Sequence, residues 1–220
     1  MKPKYSLKEV LFMGVVLLLP VIYLAFLYPS MPDTVPIHFD AEGKANGFST
    51  KKTLWFISLL LTLLAAGLYL LVRNISSIDP KKAASTSPQT YQKISIGVAS
   101  LLSAINIMII YSAFYRGHNV ARLFFPILGL FFVYLGNLMY SVKPNYFVGI
   151  RSPWTLENED NWRATHRFGS KLFFAGGIFI MVGTLLAPVK VAMWILEGCI
   201  AVMTLAPLIY SFLYFKKHKV

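Results

Sequence analysis

The segment 143–171 holds the densest set of side chains that could do chemistry in this sequence. Glu159, Asp160 and His166 lie close together there, and a carboxylate near an imidazole is a common pairing for general acid–base catalysis. No Ser or Cys nucleophile motif, HExxH metal site or glycine-rich phosphate loop accompanies them. Ion pairs along a helix explain the carboxylates more simply, because Glu159 and Asp160 precede Arg163 by four and three residues. We therefore expect a salt-bridge network and no enzyme activity.

A second group of polar side chains alternates along the segment that contains His38, Asp40 and Glu42. Alternate residues of an extended strand point to one face, so these three would lie side by side as a metal or ligand site would require. A protein metal site normally has more ligands in a closed geometry. We favour a surface hydrogen-bond network at this position, and the sequence predicts neither a metal nor another cofactor.

Three polar residues fall inside long apolar stretches. Asn106 and Asn137 are single amides, which commonly form hydrogen bonds between membrane helices. Glu197 is a carboxylate, a group that is costly in a bilayer unless it is paired, neutralised or in contact with water. Two interpretations of Glu197 stay open: an intramembrane functional site, or a carboxylate held near the membrane surface by water and by Lys190.

The composition indicates that membrane helices carry most of these residues. Of the 220 residues 56% are hydrophobic and 14% are charged, whereas soluble domains have about 25% charged residues. About 20 apolar residues cross a bilayer as a helix. Six stretches of roughly that length predict an all-α integral membrane protein with six transmembrane helices, at 10–28, 54–72, 94–115, 123–142, 172–189 and 191–215.

The distribution of basic residues predicts the orientation of these spans, because Lys and Arg near helix ends are retained in the cytoplasm. Most of the 21 Lys and Arg residues fall near the two termini and in the loops 73–93 and 143–171. Both termini are therefore expected to be cytoplasmic. The asymmetry and the anionic inner leaflet explain the net charge of +12. No basic face with interleaved stacking residues stands outside the spans, so we expect no direct binding of nucleic acid.

The first two loops differ in composition. Residues 29–53 form an extracytoplasmic loop, in which Pro36 is typical of a strand start and Gly43 and Gly47 suit tight turns. We expect a small folded cap there, in the form of a hairpin. The next loop, 73–93, is rich in Ser, Thr, Pro and Lys, which indicates a flexible cytoplasmic linker.

The third loop is expected to contain a helix at the membrane interface. Pro153 stops any earlier helix, and Thr155 is a suitable N-cap for a helix over about 156–168 that leads into the fifth span. On this helix Trp162 and His166 are four residues apart and share a face. Trp162 is expected at the level of the lipid headgroups, where amphipathic rings are common.

These loop residues resemble the signature of the SdpI family of bacterial membrane proteins. The resemblance is carried by the run Gly149-Ile-Arg-Ser-Pro-Trp-Thr-Leu156, followed by Trp162, Thr165, His166, Arg167 and Gly169. The family pattern usually has Thr where Ser152 stands, a change that keeps the hydroxyl. The resemblance implies functional roles for Gly149, Arg151, Pro153, Trp154, Thr155, Trp162, Thr165, His166, Arg167 and Gly169.

The first extracytoplasmic loop is similar to a two-helix domain often found at the front of such proteins. The residues that carry this similarity are Pro32, Asp33, Pro36, His38, Phe39, Gly43 and Gly47. On this basis we predict three regions along the chain. A two-helix N-terminal domain occupies 1–72, a cytoplasmic linker 73–93, and an SdpI-like four-helix region 94–220.

The resemblance implies a multi-pass protein of the bacterial cytoplasmic membrane that protects against a secreted, membrane-active peptide toxin. In the signalling version of the family it also implies that a cytoplasmic transcriptional repressor is held at the membrane. The expected partners are thus the peptide toxin, the repressor and membrane lipid. One alternative is an exporter or proton-coupled transporter that uses Glu197. The oligomeric state is also open. Residues 149–169 are either a docking surface or the structural connection between two spans.

Overall fold

A computed structural model of the chain describes residues 5–78, 88–115, 117 and 119–218. Within these residues the chain forms long antiparallel helices with one small β-hairpin between the first two. In chain order the elements are α1 (Leu7–Leu27), a 3-10 turn (Tyr28–Ser30), β1 (Thr34–Phe39), β2 (Ala45–Thr50), α2 (Thr53–Arg73), α3 (Ile75–Ile78), α4 (Pro88–Phe114), α5 (Ala121–Met139), α6 (Pro153–Glu157), α7 (Glu159–Leu186) and α8 (Val189–Lys217).

Six helices in the described part of the chain, α1, α2, α4, α5, α7 and α8, are long and apolar enough to cross a membrane. This confirms the predicted all-α membrane architecture with six spans. Large apolar side chains cover the outer surface of the bundle; Phe26 and Leu63 are 78% and 69% exposed. Such a surface suits contact with lipid tails, and helices are suited to it because they satisfy their backbone polar groups internally.

The even number of spans places the start of α1 and the end of α8 on one side of the bundle. We call this side, which also carries residues 73–78, 88–93 and 140–171, the terminal face. The opposite side carries the β-hairpin and residues 115, 117 and 119–120, and we call it the hairpin face. The ends of the predicted linker 73–93 are helical, in α3 and the first turns of α4, and its middle, residues 79–87, lies outside the described residues.

The predicted cap between the first two spans is an antiparallel hairpin of β1 and β2. Pro36 pairs with Phe48 on the partner strand, and irregular pairing on both sides of His38 bends β1. Val35 points to the other face and is fully buried against α1, α2 and α4. The hairpin is therefore anchored on the first three spans by its apolar side.

The tip of the hairpin is held by the start of α5. The backbone N–H of Val120 donates to the Gly43 carbonyl at 3.2 Å, and Asn119 Nδ2 donates to the Glu42 carbonyl at 2.5 Å. Gly43 has φ +77°, and a Cβ there would lie 2.6 Å from the Ala121 nitrogen. Only glycine fits both this conformation and this close approach.

The spans pack as two groups of three. Polar groups join α1, α2 and α4: Ser103 Oγ donates to the Val16 carbonyl at 2.6 Å, and Asn106 Nδ2 donates to the Ser58 carbonyl at 3.0 Å. The other group is α5, α7 and α8. The two groups meet along α4 and α5, where the ring of Tyr134 lies against Gly97.

Small residues let α5 and α7 come into backbone contact. A Cβ on Gly129 would lie 2.6 Å from the Met181 nitrogen, and one on Gly136 would lie 2.5 Å from the Phe174 nitrogen. From the other side, a Cβ on Gly177 would reach the backbone of α5 at 2.6 Å. Close approach of this kind is the usual basis of tight helix association in membranes. It gives the terminal face a rigid support beneath the 143–171 segment.

Candidate functional site

The loop that follows α5 is shaped by a buried asparagine. Asn145 is fully buried; its Nδ2 donates to the carbonyls of Lys143 and Val148 at 2.8 and 2.9 Å. Its Oδ1 accepts from the N–H groups of Phe147 and Val148 at 2.8 and 2.7 Å. The sequence analysis did not single out Asn145, although Asn after Pro144 is typical turn chemistry.

The predicted helix over 156–168 is divided in the structure. Ser152, not Thr155, is the N-cap of the short helix α6: the Thr155 N–H donates to Ser152 Oγ, and the Ser152 N–H donates to Thr155 Oγ1. Asn158 then caps a second helix, and its Oδ1 accepts from the N–H of Asn161 at 2.8 Å. That second helix is α7, which continues into the fifth span without a break. This stretch contains two good N-caps, Ser152 and Asn158, whereas the prediction assigned one N-cap and therefore one helix.

Trp162 lies inside the protein and not at the lipid headgroups as predicted. Its side chain is fully buried, and the indole Nε1–H donates to the Val142 carbonyl at 2.8 Å. Its ring stacks on that of His166 with a centroid distance of 4.1 Å and an interplanar angle of 19°. The four-residue spacing placed both rings on one helix face, but that face packs on the loop after α5.

His166 uses both ring nitrogens on backbone groups. The N–H of Ile150 donates to Nε2 at 3.0 Å, and Nδ1 lies 2.9 Å from the Trp162 carbonyl. Since Nε2 accepts a hydrogen bond here, the imidazole is neutral and carries its proton on Nδ1, which donates a hydrogen bond to the Trp162 carbonyl. The ring is 1% exposed. This arrangement positions a loop and does not prepare an acid or base for a substrate.

Gly149 completes this arrangement, and we refer to Gly149, Ile150, Trp162 and His166 as the His166 cluster. The backbone of Gly149 has φ +119°, a conformation that favours glycine. A Cβ at this position would overlap His166 Nε2 and lie 3.1 Å from Trp162 Cζ2. One turn after His166 in α7, Gly169 leaves room for the Ile150 side chain, because a Cβ on Gly169 would overlap Ile150 Cδ1. The loop 145–150 therefore packs closely against α7 at Gly149 and Ile150.

A second group, Ser152, Thr155, Asn161, Thr165 and Ser211, links this region to α8, and we call it the hydroxyl–amide cluster. All five residues are buried. Thr165 Oγ1 donates to Asn161 Oδ1 at 3.0 Å, and Asn161 Nδ2 donates to the Ser211 carbonyl at 2.9 Å. The Oγ atoms of Ser152 and Ser211 are 3.2 Å apart. The sequence analysis did not single out Ser211 and Asn161, because the hydrogen bond that joins them spans 50 positions of the chain.

Other motif residues lie nearer the surface. Trp154 contacts the end of α8, with its ring centroid 5.0 Å from that of Phe212. Arg151 is exposed and donates from its guanidinium to the Tyr146 carbonyl. Pro153 and Arg167 are also exposed. The motif is therefore divided into a buried set that holds the loop and an exposed set on the terminal face.

The carboxylates considered for catalysis pair with Arg163. Arg163 Nη2 lies 3.1 Å from Asp160 Oδ1 and 3.8 Å from Glu159 Oε2. All three side chains are at least 70% exposed. The structure therefore has the salt-bridge network that the spacing predicts.

Replacing Arg163 with Ala is expected to change the free energy of unfolding by no more than about 1 kcal/mol, because exposed ion pairs are screened by water. Thermal denaturation of the purified protein in detergent measures this change. A loss well above that size would show that Arg163 has a structural role beyond its two carboxylate partners.

The residues of the first loop form hydrogen bonds within the hairpin region. His38 Nδ1 donates to Asn46 Oδ1 at 2.5 Å, and Asp40 Oδ1 accepts from the Lys44 N–H at 2.8 Å. A Cβ on Gly47 would lie 2.8 Å from that of His38. Among the described residues no group of three His, Cys, Asp or Glu side chains could hold a metal ion. The structure therefore contains the hydrogen-bond network that the sequence analysis favoured.

The other residues named from this loop lie around the hairpin. Asp33 Oδ1 lies 3.4 Å from Lys51 Nζ. Pro36 and Phe39 line a cavity on the hairpin face, and Pro32 is half-buried.

The three intramembrane polar residues have different environments. Asn106 is buried and bonds to α2 as described above. Asn137 is exposed and forms no hydrogen bond with any residue that the structure describes, so the expected bond between helices is absent there. The reason is its position: Gly136, one residue earlier, occupies the face of α5 that packs on α7.

Glu197 also lies on the outside of the bundle. Its side chain and that of Lys190 are both exposed, and no ion pair joins them within the described part of the chain. A coupling carboxylate of a transporter normally faces the bundle interior or a water-filled cavity. The position of Glu197 does not favour the transporter alternative.

A buried ion pair in the N-terminal group was missed by the sequence analysis. Arg73 Nε lies 2.8 Å from Glu9 Oε1, and both side chains are at most 4% exposed. Tyr69 Oη donates to the same Glu9 oxygen at 2.8 Å. The pair joins the start of α1 to the end of α2 on the terminal face, across 64 residues of sequence.

Two known families match this chain. The SdpI/YfhL protein family matches residues 141–211, and a domain of unknown function, DUF1648, matches residues 15–62. The first segment contains the His166 cluster and the hydroxyl–amide cluster, and the second contains the hairpin. These matches confirm the predicted resemblance to the SdpI family and to the two-helix domain at its front.

A curated relative supports the same assignment. The immunity protein SdpI of Bacillus subtilis strain 168 is 27% identical to this chain over 156 residues. The aligned part covers 71% of this chain and 72% of the relative. No solved structure matches this chain.

Proposed function

We propose that this chain is an immunity protein that protects its cell against a secreted, membrane-active peptide, because it is a multi-pass membrane chain with the SdpI/YfhL family region. The observation that carries the proposal is the similarity to the immunity protein SdpI over about seven tenths of both chains. The localisation that goes with this function is the bacterial cytoplasmic membrane. The terminal face is then cytoplasmic, as the excess of Lys and Arg on that side favours.

The hairpin face offers a place where a peptide can be bound. A cavity of about 740 Å³ lies between the hairpin and the end of α4. Pro36, Phe39 and Phe48 form apolar walls, and Ser112 of α4 adds a buried hydroxyl. We assign the peptide to this cavity, since apolar walls with a few polar groups are typical of ligand sites.

The position of this cavity suits signalling across the membrane. The base of the hairpin packs on α1, α2 and α4, whereas its tip is bonded to the start of α5. A peptide bound beneath the hairpin would contact Ser112 of α4 and Asn119, which leads into α5. If it binds one relative arrangement of the two groups of spans more tightly, it shifts the population toward that arrangement.

On the terminal face the exposed motif residues are suited to contact a cytoplasmic protein. Arg151, Pro153 and Arg167 are exposed, while the His166 cluster beneath them fixes the loop to α7. We assign the repressor of the signalling version to this surface. A rigid loop with exposed guanidinium groups is a suitable surface for an acidic partner.

The test of the immunity function is survival and membrane depolarisation of peptide-sensitive bacteria that express the chain, challenged with the killing peptide associated with the SdpI family. The intact chain is expected to protect, and Arg151→Ala at equal membrane abundance is expected to lose protection. Lys190→Ala is the matched control, because Lys190 is also an exposed cation but lies at the start of α8, away from the lining of the hairpin cavity.

Three outcomes would count against parts of this proposal. Absence of protection by the intact chain would move its function to another peptide or to signalling alone. Equal protection by the Arg151→Ala protein would remove Arg151 from the functional surface. Protection that disappears when the proton gradient is collapsed would favour the transporter alternative.

A further inference from the structure

A groove of about 680 Å³ lies on the terminal face, between the residues that follow α5 and the first turns of α7. Tyr140, Lys143 and Pro144 form one wall, and Arg163 and Arg167 are on the other. Arg167 also belongs to the surface that we assign to the repressor, but the groove itself has no role in the functions considered so far. One wall follows directly on α5 and the other belongs to α7. The backbones of these two spans are in contact, which supports the shape of the groove.

The groove is rich in positive charge. Lys143, Arg163 and Arg167 line it, with Glu159 as the acidic lining residue. Arg163 is engaged by Glu159 and Asp160. Arg167, in contrast, is exposed and forms no hydrogen bond or ion pair with any residue in the described part of the chain. Its guanidinium is therefore available, and the planar fork of Arg suits the oxygens of a phosphate group.

The groove lies where the exposed surface of α7 changes from basic to apolar side chains. Along α7 the exposed positions continue from Arg167 to Lys171 and then to Phe174 and Ile178, at helical spacings of three and four residues. Phe174 is seven residues beyond Arg167, a rise of about 10 Å. Phe174 and Ile178 are 44% and 40% exposed and face the lipid tails. A cationic groove thus continues directly into an apolar strip on the same helix.

Exposed polar groups on α5 occur at the same level. Tyr140 is 69% exposed, and Tyr rings prefer the headgroup region of a membrane. Asn137 is exposed three residues earlier, so it shares this face of α5. An amide at this depth would meet the glycerol and ester oxygens of a phospholipid, which explains why Asn137 does not need a partner in another helix.

We infer that this groove binds the phosphate of an anionic phospholipid, with Arg167 and Lys143 on the headgroup and the strip from Lys171 to Ile178 along the acyl chains. Basic pockets beside membrane helices are suited to such headgroups because the charge acts close to a low-dielectric layer. The inference does not depend on the immunity function or on which leaflet the terminal face contacts.

The test uses the full-length protein in nanodiscs of phosphatidylglycerol mixed with phosphatidylcholine. Native mass spectrometry after transfer to detergent measures how much of each lipid stays bound. The intact protein is expected to retain phosphatidylglycerol preferentially, and Arg167→Gln is expected to reduce this preference by about tenfold, the size of one lost charge-assisted contact. Arg167→Lys should retain part of it.

Lys190→Gln is the control of equal charge change, because Lys190 is exposed at the start of α8 on the hairpin face. Its lipid preference is expected to equal that of the unmodified protein. All variants are compared at matched thermal stability, which Arg167→Gln should keep since Arg167 has no partner to lose among the described residues.

The inference would be overturned if Arg167→Gln and the Lys143→Gln, Arg167→Gln double variant both retained phosphatidylglycerol as well as the intact protein does. It would also be overturned if inorganic phosphate displaced phosphatidylglycerol at equal concentration, because the groove would then be a site for free phosphate. Retention of both lipids in proportion to their abundance would overturn it as well.

Discussion

Replacing Glu9 with Ala is expected to lower the free energy of unfolding by about 3–5 kcal/mol, because it leaves the Arg73 charge buried without its carboxylate. Arg73 is 4% exposed, and its Nε–H and Nη2–H donate to the two Glu9 oxygens at 2.8 and 3.3 Å. Tyr69 loses an acceptor in the same change. Denaturation of the purified protein in mixed micelles, followed by circular dichroism, measures the loss.

The matched control is Glu42→Ala, which removes an exposed carboxylate from the hairpin. It is expected to have little effect on stability. The double variant Glu9→Ala, Arg73→Met should recover part of the loss, since it removes the unpaired charge and keeps an unbranched apolar side chain. If Glu9→Ala unfolded at the same denaturant concentration as Glu42→Ala, the buried pair would not hold α1 to α2 as we describe.

Replacing Gly149 with Ala is expected to abolish protection at unchanged membrane abundance and to destabilise the protein by about 1–3 kcal/mol, the cost of a strained backbone position. The backbone there has φ +119°, and the new methyl group would overlap the His166 ring. The ring would have to move, and the hydrogen bond from the Ile150 N–H would break. The loss of protection rests on the proposed immunity function, whereas the loss of stability does not.

Gly198→Ala is the control for Gly149→Ala, because Gly198 is inside α8 and a Cβ there meets nothing within 4 Å. It is expected to be neutral or to stabilise by up to about 1 kcal/mol. Adding His166→Ala to Gly149→Ala should cost less than the two separate losses combined, since the overlap is removed. Additive losses would show that the close approach of Gly149 and His166 does not matter energetically.

Much of the architecture could be predicted because it depends on local features of the chain. Apolar stretches of membrane length identify all six spans, and the turn residue Gly43 helps to identify the hairpin. Gly47, also predicted in a turn, instead lies within β2 and pairs with His38. The boundaries were less accurate. The fifth span was predicted to begin at 172, but α7 starts at Glu159. Hydropathy identifies only the apolar part of a helix, whereas α7 is already helical in the polar residues that precede this part.

The candidate site was only partly predictable. Spacing placed Trp162 and His166 on one face, and the stacked rings agree with that. Spacing could not say whether the face meets lipid or protein, so Trp162 was placed at the headgroups although it is fully buried. The hydrogen bond from Ile150 to His166 also depends on how the loop folds back, which Asn145 determines through four local bonds.

By itself the sequence determined the class of protein, the number of spans, the hairpin and the resemblance to the SdpI family, because composition, periodicity and motif spacing are properties of the chain alone. Only the tertiary structure decided which polar residues are paired. It joined Glu9 to Arg73 across 64 positions and left Asn137 and Glu197 on the outside. The physical reason is that the cost of a polar group in a membrane protein depends on the face it occupies, and faces are assigned when the helices pack.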